Sequence, residues 1–220
     1  MTTKTITLTA TAIFFALSVL FFLPVHIPYK LVFPVASLFV ASLWLNSWQI
    51  CAALLFSALG DYCGATGNFL GQVGAFALGQ VLYIWFFVKR YLTKVEHDRK
   101  LTAKAKGYLA MLVVCAVGLL TIVFTQIVPT VPAGVVRIGV SVYTVIITAM
   151  LFWGMLQRST LYALGALLFV FSDFILAWNR FVEPVPYSRY LILVTYYLAQ
   201  WLLFVRSTPY RIASLRPFRF

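Results

Sequence analysis

Two aspartates, Asp61 and Asp173, stand inside long uncharged stretches of this chain, and no other residues invite chemistry so directly. Glu96 and Asp98 lie in a basic stretch, and Glu183 lies in a link before the last apolar run. An Asp at mid-helix in a bilayer costs about 2.5–3.5 kcal/mol on insertion scales, so such a residue reads as functional. Two carboxyls brought together in low dielectric would hold one proton near neutrality and titrate as a unit. A protonated acid beside a carboxylate base is what acid-assisted hydration or hydrolysis needs. The plainer alternative is that each Asp pairs with a cation or caps a broken helix. Lys30 and Arg137 are then the candidate counter-ions, and Gly60 and Ser172, immediately before the two acids, permit close helix approach.

A supporting polar set lies nearby. Gln72, Phe76 and Gln80 recur at i, i+4 and i+8 with Tyr83 a further turn along, so they share one helix face. Gly67, Gly71, Ala75 and Gly79 form a second face of small residues suited to a neighbouring helix. Tyr196 and Gln200 are four apart, and Ser57 is one turn before Asp61. These groups could orient a carboxyl, a water or a lipid headgroup, or serve only as interhelical hydrogen bonds. The three cysteines and two histidines have no metal-ligand or disulfide spacing, so no metal and no cofactor are expected.

The elements that must position these residues are membrane helices. Of 220 residues 63% are hydrophobic and 10% charged, with a mean hydropathy of +0.96; a soluble domain carries about 25% charged residues. No charge lies between Lys30 and Asp61, between Asp61 and Lys89, or between Lys106 and Arg137. Each gap exceeds the roughly 20 apolar residues that cross a bilayer, which excludes a water-soluble core. The run 6–23 is longer than a signal-peptide core and lacks a small-residue cleavage site, so it reads as a retained helix. The expectation is an all-α integral membrane bundle of about eight helices, near 6–23, 31–46, 48–66, 68–88, 107–127, 137–156, 159–178 and 189–206. Asp61 and Asp173 each fall 13 residues after the cytoplasmic start of their helix, at Trp48 and Thr160. At 1.5 Å per residue both sit about 20 Å deep, past the midplane.

Thirteen of the seventeen Lys and Arg residues fall on the side that holds both termini, and the other side carries only Lys30, Arg137, Arg180 and Arg189. That imbalance predicts cytoplasmic termini. The basic loop 89–106 and basic tail 207–220 read as topology determinants that touch anionic lipid headgroups, not as a nucleic-acid surface. Trp44, Trp48, Trp153, Trp178 and Tyr108 near helix ends read as interface anchors.

The chain also echoes itself within one transmembrane domain, 1–220. Ala53-Leu-Leu-Phe followed by Gly60-Asp61 recurs as Ala166-Leu-Leu-Phe followed by Ser172-Asp173. Leu78-Gly79-Gln80 recurs as Leu198-Ala199-Gln200, in the same order four helices on. This predicts parallel repeat halves, 1–88 and 107–206.

The same segments carry a family resemblance. Leu54 to Asp61, Gly74 to Tyr83, Gly165 to Asp173 and Tyr196 to Gln200, with Lys30 before the second helix, resemble the YhhN-like lysoplasmalogenases, multi-pass membrane proteins, over most of the chain from Lys30 to Ser207. The resemblance implies eight helices, catalytic aspartates at Asp61 and Asp173, and hydrolysis of the vinyl-ether bond of a lysoplasmalogen. The products would be a fatty aldehyde and glycerophosphoethanolamine or glycerophosphocholine. Relatives often carry His where this chain has Gln80, so no proton-transfer role is carried over there. With the resemblance, Lys30, Gln80, Tyr83, Tyr196 and Gln200 become candidates for binding a lysophospholipid, and Lys30, Arg137 or Arg189 for its phosphate. A protonated Asp would donate to the outer alkene carbon while the other carboxylate steadied the positive centre and oriented water.

Three rival readings remain at this level. Buried carboxylates and repeats also mark a proton-coupled carrier. An intramembrane aspartyl protease is disfavoured because Ala58 replaces the first glycine of Gly-x-Gly-Asp. A non-catalytic scaffold would tolerate Asp→Asn changes.

Overall fold

The computed structural model describes residues 3–95 and 103–208. Among the described residues there are eight α-helices and no strands: α1 Thr3–Phe22, α2 Phe33–Leu45, α3 Trp48–Ala65, α4 Phe69–Val95, α5 Ala103–Ile122, α6 Val135–Leu156, α7 Thr160–Phe181 and α8 Ser188–Ser207. A π turn, Val123–Ile127, and a 3-10 turn, Val128–Thr130, prolong α5. Among the described residues six helices are long and apolar enough to cross a membrane; α2, with 13 residues, is short for a crossing, and α3 has 18.

Local chemistry sets most boundaries. Pro34, in the first turn of α2, fits where its missing N–H is not needed. Gly67 turns the chain with φ 77° between α3 and α4, and Asn68 caps α4 by accepting from the Gly71 N–H at 2.9 Å. Helices α3 and α7 begin at Trp48 and Thr160, as expected. The expected loop 89–106 is corrected. Lys89 to Val95 continue α4, because this stretch holds no Gly or Pro to stop it, and α5 begins at Ala103. Residues 96–102, with Glu96, His97 and Asp98, and the tail 209–220 lie outside the described residues.

Large apolar side chains stand exposed along the long helices, among them Leu8, Leu78, Val114, Val117, Ile138 and Leu164. Such continuous apolar surface is stable against lipid, where helices satisfy their own backbone groups. Inside, one large core joins Phe14, Leu38, Leu54, Phe87, Phe169 and Phe204 from six helices. A smaller core forms around Val123, Ile127, Val131 and Val140, where α5 meets α6 and α7. The most intimate helix pairs are the antiparallel hairpins α3–α4 and α7–α8, and α4 also packs on α6 while α8 reaches α2.

Candidate acid site within the bundle

Small residues let the two acid-bearing helices approach their partners. A Cβ on Gly60 would meet the Phe76 ring at 2.5 Å, and one on Gly79 would meet the Ala53 carbonyl oxygen at 3.2 Å. On α7, a Cβ on Gly165 would meet Leu203 at 3.0 Å, and the Ser172 hydroxyl donates to the Ile192 carbonyl at 2.9 Å. The acids that follow Gly60 and Ser172 are therefore held at tight helix contacts.

Each carboxyl is held by a tyrosine hydroxyl. Asp61, only 3% exposed, accepts from Tyr196 of α8 at 3.1 Å. Asp173 accepts from Tyr143 of α6. No hydrogen bond joins one carboxyl to the other among the described residues. The candidate helpers sort themselves around these pairs. Tyr83, fully buried, donates to Gln200 Oε1 at 3.0 Å, and the Gln200 amide lies beside the Tyr196 hydroxyl. Tyr83, Gln200, Tyr196 and Asp61 thus form one polar line through α4, α8 and α3. On the other side the Gln80 amide approaches the Tyr143 hydroxyl, while Gln80 Oε1 is buried without a hydrogen-bond partner among the described residues.

A cavity of about 60 Å³ opens beside Asp173. Its wall is formed by α4, α5 with its π turn, α6 and α7, and includes Gln72, Phe76, Tyr143, Asp173, Phe174 and Val123. Asp61 is not part of that wall. Thr144 and Thr148 also border it, but each donates its hydroxyl to a carbonyl one turn back, which leaves Asp173, Tyr143 and Gln72 as its polar groups. Helices α4 and α5 both border the cavity without being closely packed on one another. The two acids are therefore not equivalent: Asp173 meets the cavity and Asp61 does not.

The cations fall elsewhere. Lys30 donates to the Leu23 and Val25 carbonyls at 2.8 and 2.9 Å, and Arg137 donates to the Val131 and Pro129 carbonyls. Both staple interhelical links, so neither is a counter-ion for an aspartate. Arg189 lies over the Phe21 ring, 4.8 Å from its centre, with Lys30 at 5.6 Å from the same ring. Tyr143 is absent from the candidates drawn from sequence. A hydroxyl-bearing ring eight residues into α6, away from the interface where tyrosines usually sit, is the signal that marks it. Among the described residues no three His, Cys, Asp or Glu side chains gather as a metal site would require.

An all-helical bundle with lipid-facing apolar surface and two tyrosine-held carboxyls inside it defines a multi-pass integral membrane protein with a buried acid centre. The chain belongs to the YhhN family, whose model matches residues 30–207. It is 33% identical over 158 residues to lysoplasmalogenase TMEM86B of Sus scrofa, covering 71% of this chain and 62% of that protein. The human TMEM86B lysoplasmalogenase is 32% identical over 152 residues, covering 69% of this chain and 59% of that protein. The human lysoplasmalogenase TMEM86A is 51% identical over 47 residues, which cover 21% of this chain and 20% of that protein. The chain thus spans about three fifths of the length of the TMEM86B relatives. No solved structure matches it.

Proposed function

We propose that this protein is a lysoplasmalogenase-type hydrolase that cleaves the vinyl-ether bond of a lysophospholipid with the help of Asp173 and Asp61. The observation that carries the reading is a carboxyl, Asp173, hydrogen-bonded by Tyr143 at the wall of a mostly apolar cavity inside a membrane bundle. The names of the relatives supply the substrate class.

The chemistry balances as follows. Protonated Asp173 gives its proton to the outer alkene carbon, leaving an oxocarbenium centre on the carbon bound to the ether oxygen. Water adds to that centre and returns one proton to the Asp173 carboxylate, which regenerates the acid. The hemiacetal then breaks its bond to the glycerol oxygen, and its hydroxyl proton passes to that oxygen. A fatty aldehyde and a glycerophospho-alcohol, glycerophosphoethanolamine or glycerophosphocholine, leave. Tyr143 orients the carboxyl. Asp61, as carboxylate, lends negative charge to the cationic centre, a contribution that low dielectric magnifies. The cavity is too small for a whole fatty chain, and the loosely packed seam between α4 and α5 offers that chain a lateral path into lipid.

In this reading both termini face the cytoplasm, the basic cytoplasmic segments rest on anionic lipid, and the two halves of the chain descend from one four-helix unit. The test is aldehyde release from a lysoplasmenyl lipid by the purified protein. Asp173→Asn should abolish it, and Asp61→Asn should reduce it by at least tenfold. Full activity in both variants would overturn the mechanism. Solute uptake by reconstituted vesicles without aldehyde would establish a carrier in its place.

A further inference from the structure

Arg180 stands at the outer end of the cavity with its charge uncommitted. Its guanidinium lies 4.2 Å from the centre of the Phe69 ring and 5.8 Å from that of Phe181, and both rings border the cavity. Those rings also touch each other edge-on, 5.4 Å between centres, joining α4 to α7 at this end. Glu183, the acid nearest in sequence, accepts from the Trp178 ring nitrogen. Among the described residues Arg180 makes neither an ion pair nor a hydrogen bond, so its five N–H donors remain for a ligand.

Its register on α7 is equally telling. Arg180 follows Asp173 by seven residues, which is two helical turns, so the two share a face and lie about 10 Å apart along the axis. Ala177, between them on that face, lines the cavity. In a lysoplasmalogen, seven bonds separate the phosphorus from the outer alkene carbon, roughly 9 Å when extended at standard bond lengths. A carboxyl at one end of this span and a free guanidinium at the other match the reactive alkene and the phosphate of one molecule. The rival cations serve less well. Lys30 is held by two carbonyls, and it and Arg189 gather on Phe21, which is not part of the cavity wall.

We infer that Arg180, resting on Phe69 and Phe181, binds the phosphate of the lysophospholipid headgroup and so sets the depth at which the vinyl ether meets Asp173. This inference rests on the proposed hydrolase reading, and it makes Arg180 a specificity residue. Arginine suits the task because its planar fork can engage two phosphate oxygens at once.

The experiment compares wild type, Arg180→Gln, Arg180→Lys and Arg189→Gln in detergent. One readout is aldehyde release from lysoplasmenylcholine and from a 1-alkenylglycerol that lacks phosphate. The other is the dissociation constant for a saturated 1-alkyl-glycerophosphocholine, which has no alkene to hydrolyse, and for the matching 1-alkylglycerol. Arg180→Gln should raise KM for the phospholipid and its alkyl analogue's dissociation constant at least tenfold. Arg180→Lys should recover part of that, and the phosphate-free compounds should be unaffected. An equal loss on both classes, a change under twofold, or a phosphate-selective loss in Arg189→Gln would overturn the inference. If wild type releases no aldehyde, the hydrolase reading fails alone, and selective weakening of alkyl phospholipid binding by Arg180→Gln still upholds the headgroup site.

Discussion

Gly60 is the position where a single methyl group should disturb the acid centre most. An alanine there would place its Cβ 2.5 Å from two carbons of the Phe76 ring, where ordinary contact is about 3.5–4.0 Å, so ring or helix must yield by about 1 Å. The ring has little room to move. It packs against Phe169 and Tyr196, with centres 6.5 and 5.8 Å away, and Tyr196 is the residue that holds Asp61. Overpacking of this kind costs typically about 1–3 kcal/mol. For a chain of this size each kcal/mol moves the melting temperature by about 2–4 °C, which gives a fall of roughly 2–12 °C. Because Phe76 also borders the cavity, aldehyde release should drop along with stability. Thermal unfolding of detergent-solubilised protein, scored beside aldehyde release, measures both effects. Adding Phe76→Leu to Gly60→Ala should restore most of the loss, since the smaller, flexible side chain relieves the clash, and the double-mutant cycle should show coupling above about 1 kcal/mol. Gly74→Ala is the matched control: nothing lies within 4 Å of a Cβ there, and alanine is the better helix former. If Gly60→Ala melts within about a degree of wild type, or if the two changes simply add, the close-packing argument is wrong.

Three further outcomes are expected. Tyr143→Phe removes the donor to Asp173 and should cut kcat by about 10- to 100-fold, given about 1.5–3 kcal/mol for a hydrogen bond to a charged group; initial rates with an unchanged KM would check it. Tyr196→Phe should be the more destabilising of the two tyrosine changes, because it strands a carboxyl that is 3% exposed, and comparing the two melting temperatures decides the order. Arg137→Gln should lower the melting temperature while leaving kcat/KM intact, since its guanidinium pins the link before α6 through the Val131 carbonyl at 2.7 and 2.9 Å.

What the sequence makes legible here follows from how each feature is encoded. Charge-free runs give the helices, and the starts of α3 and α7 agree to within one residue because Asn46-Ser47 and Arg158-Ser159 interrupt the apolar pattern sharply. The end of α4 is not legible from charge, because Lys and Arg are good helix formers and Lys89 to Val95 continue the helix. The two aspartates stand out because a lone acid in an apolar helix has no cheap explanation. Tyr143 and Arg180 do not stand out. A tyrosine, or an arginine near a helix end, is common in a membrane protein, and only three-dimensional neighbours, Asp173 in one case and Phe69 in the other, distinguish these from the rest. Lys30 shows another limit: the carbonyls that hold it belong to residues 23 and 25, a turn geometry no pattern encodes.

The bond from Tyr196 to Asp61 spans 135 residues. When α3 first enters the bilayer during synthesis, its acid has no phenolic donor, and it must wait until α8 has emerged from the ribosome. The Tyr196–Asp61 pair can therefore form only after α8 has been made. A nascent chain halted before α8 would hold Asp173 with its α6 partner already in place while Asp61 remained an unmet polar group, a recognisable target for membrane quality control. Co-expression of two separately translated fragments, divided between α7 and α8, would recreate that interval and make it measurable.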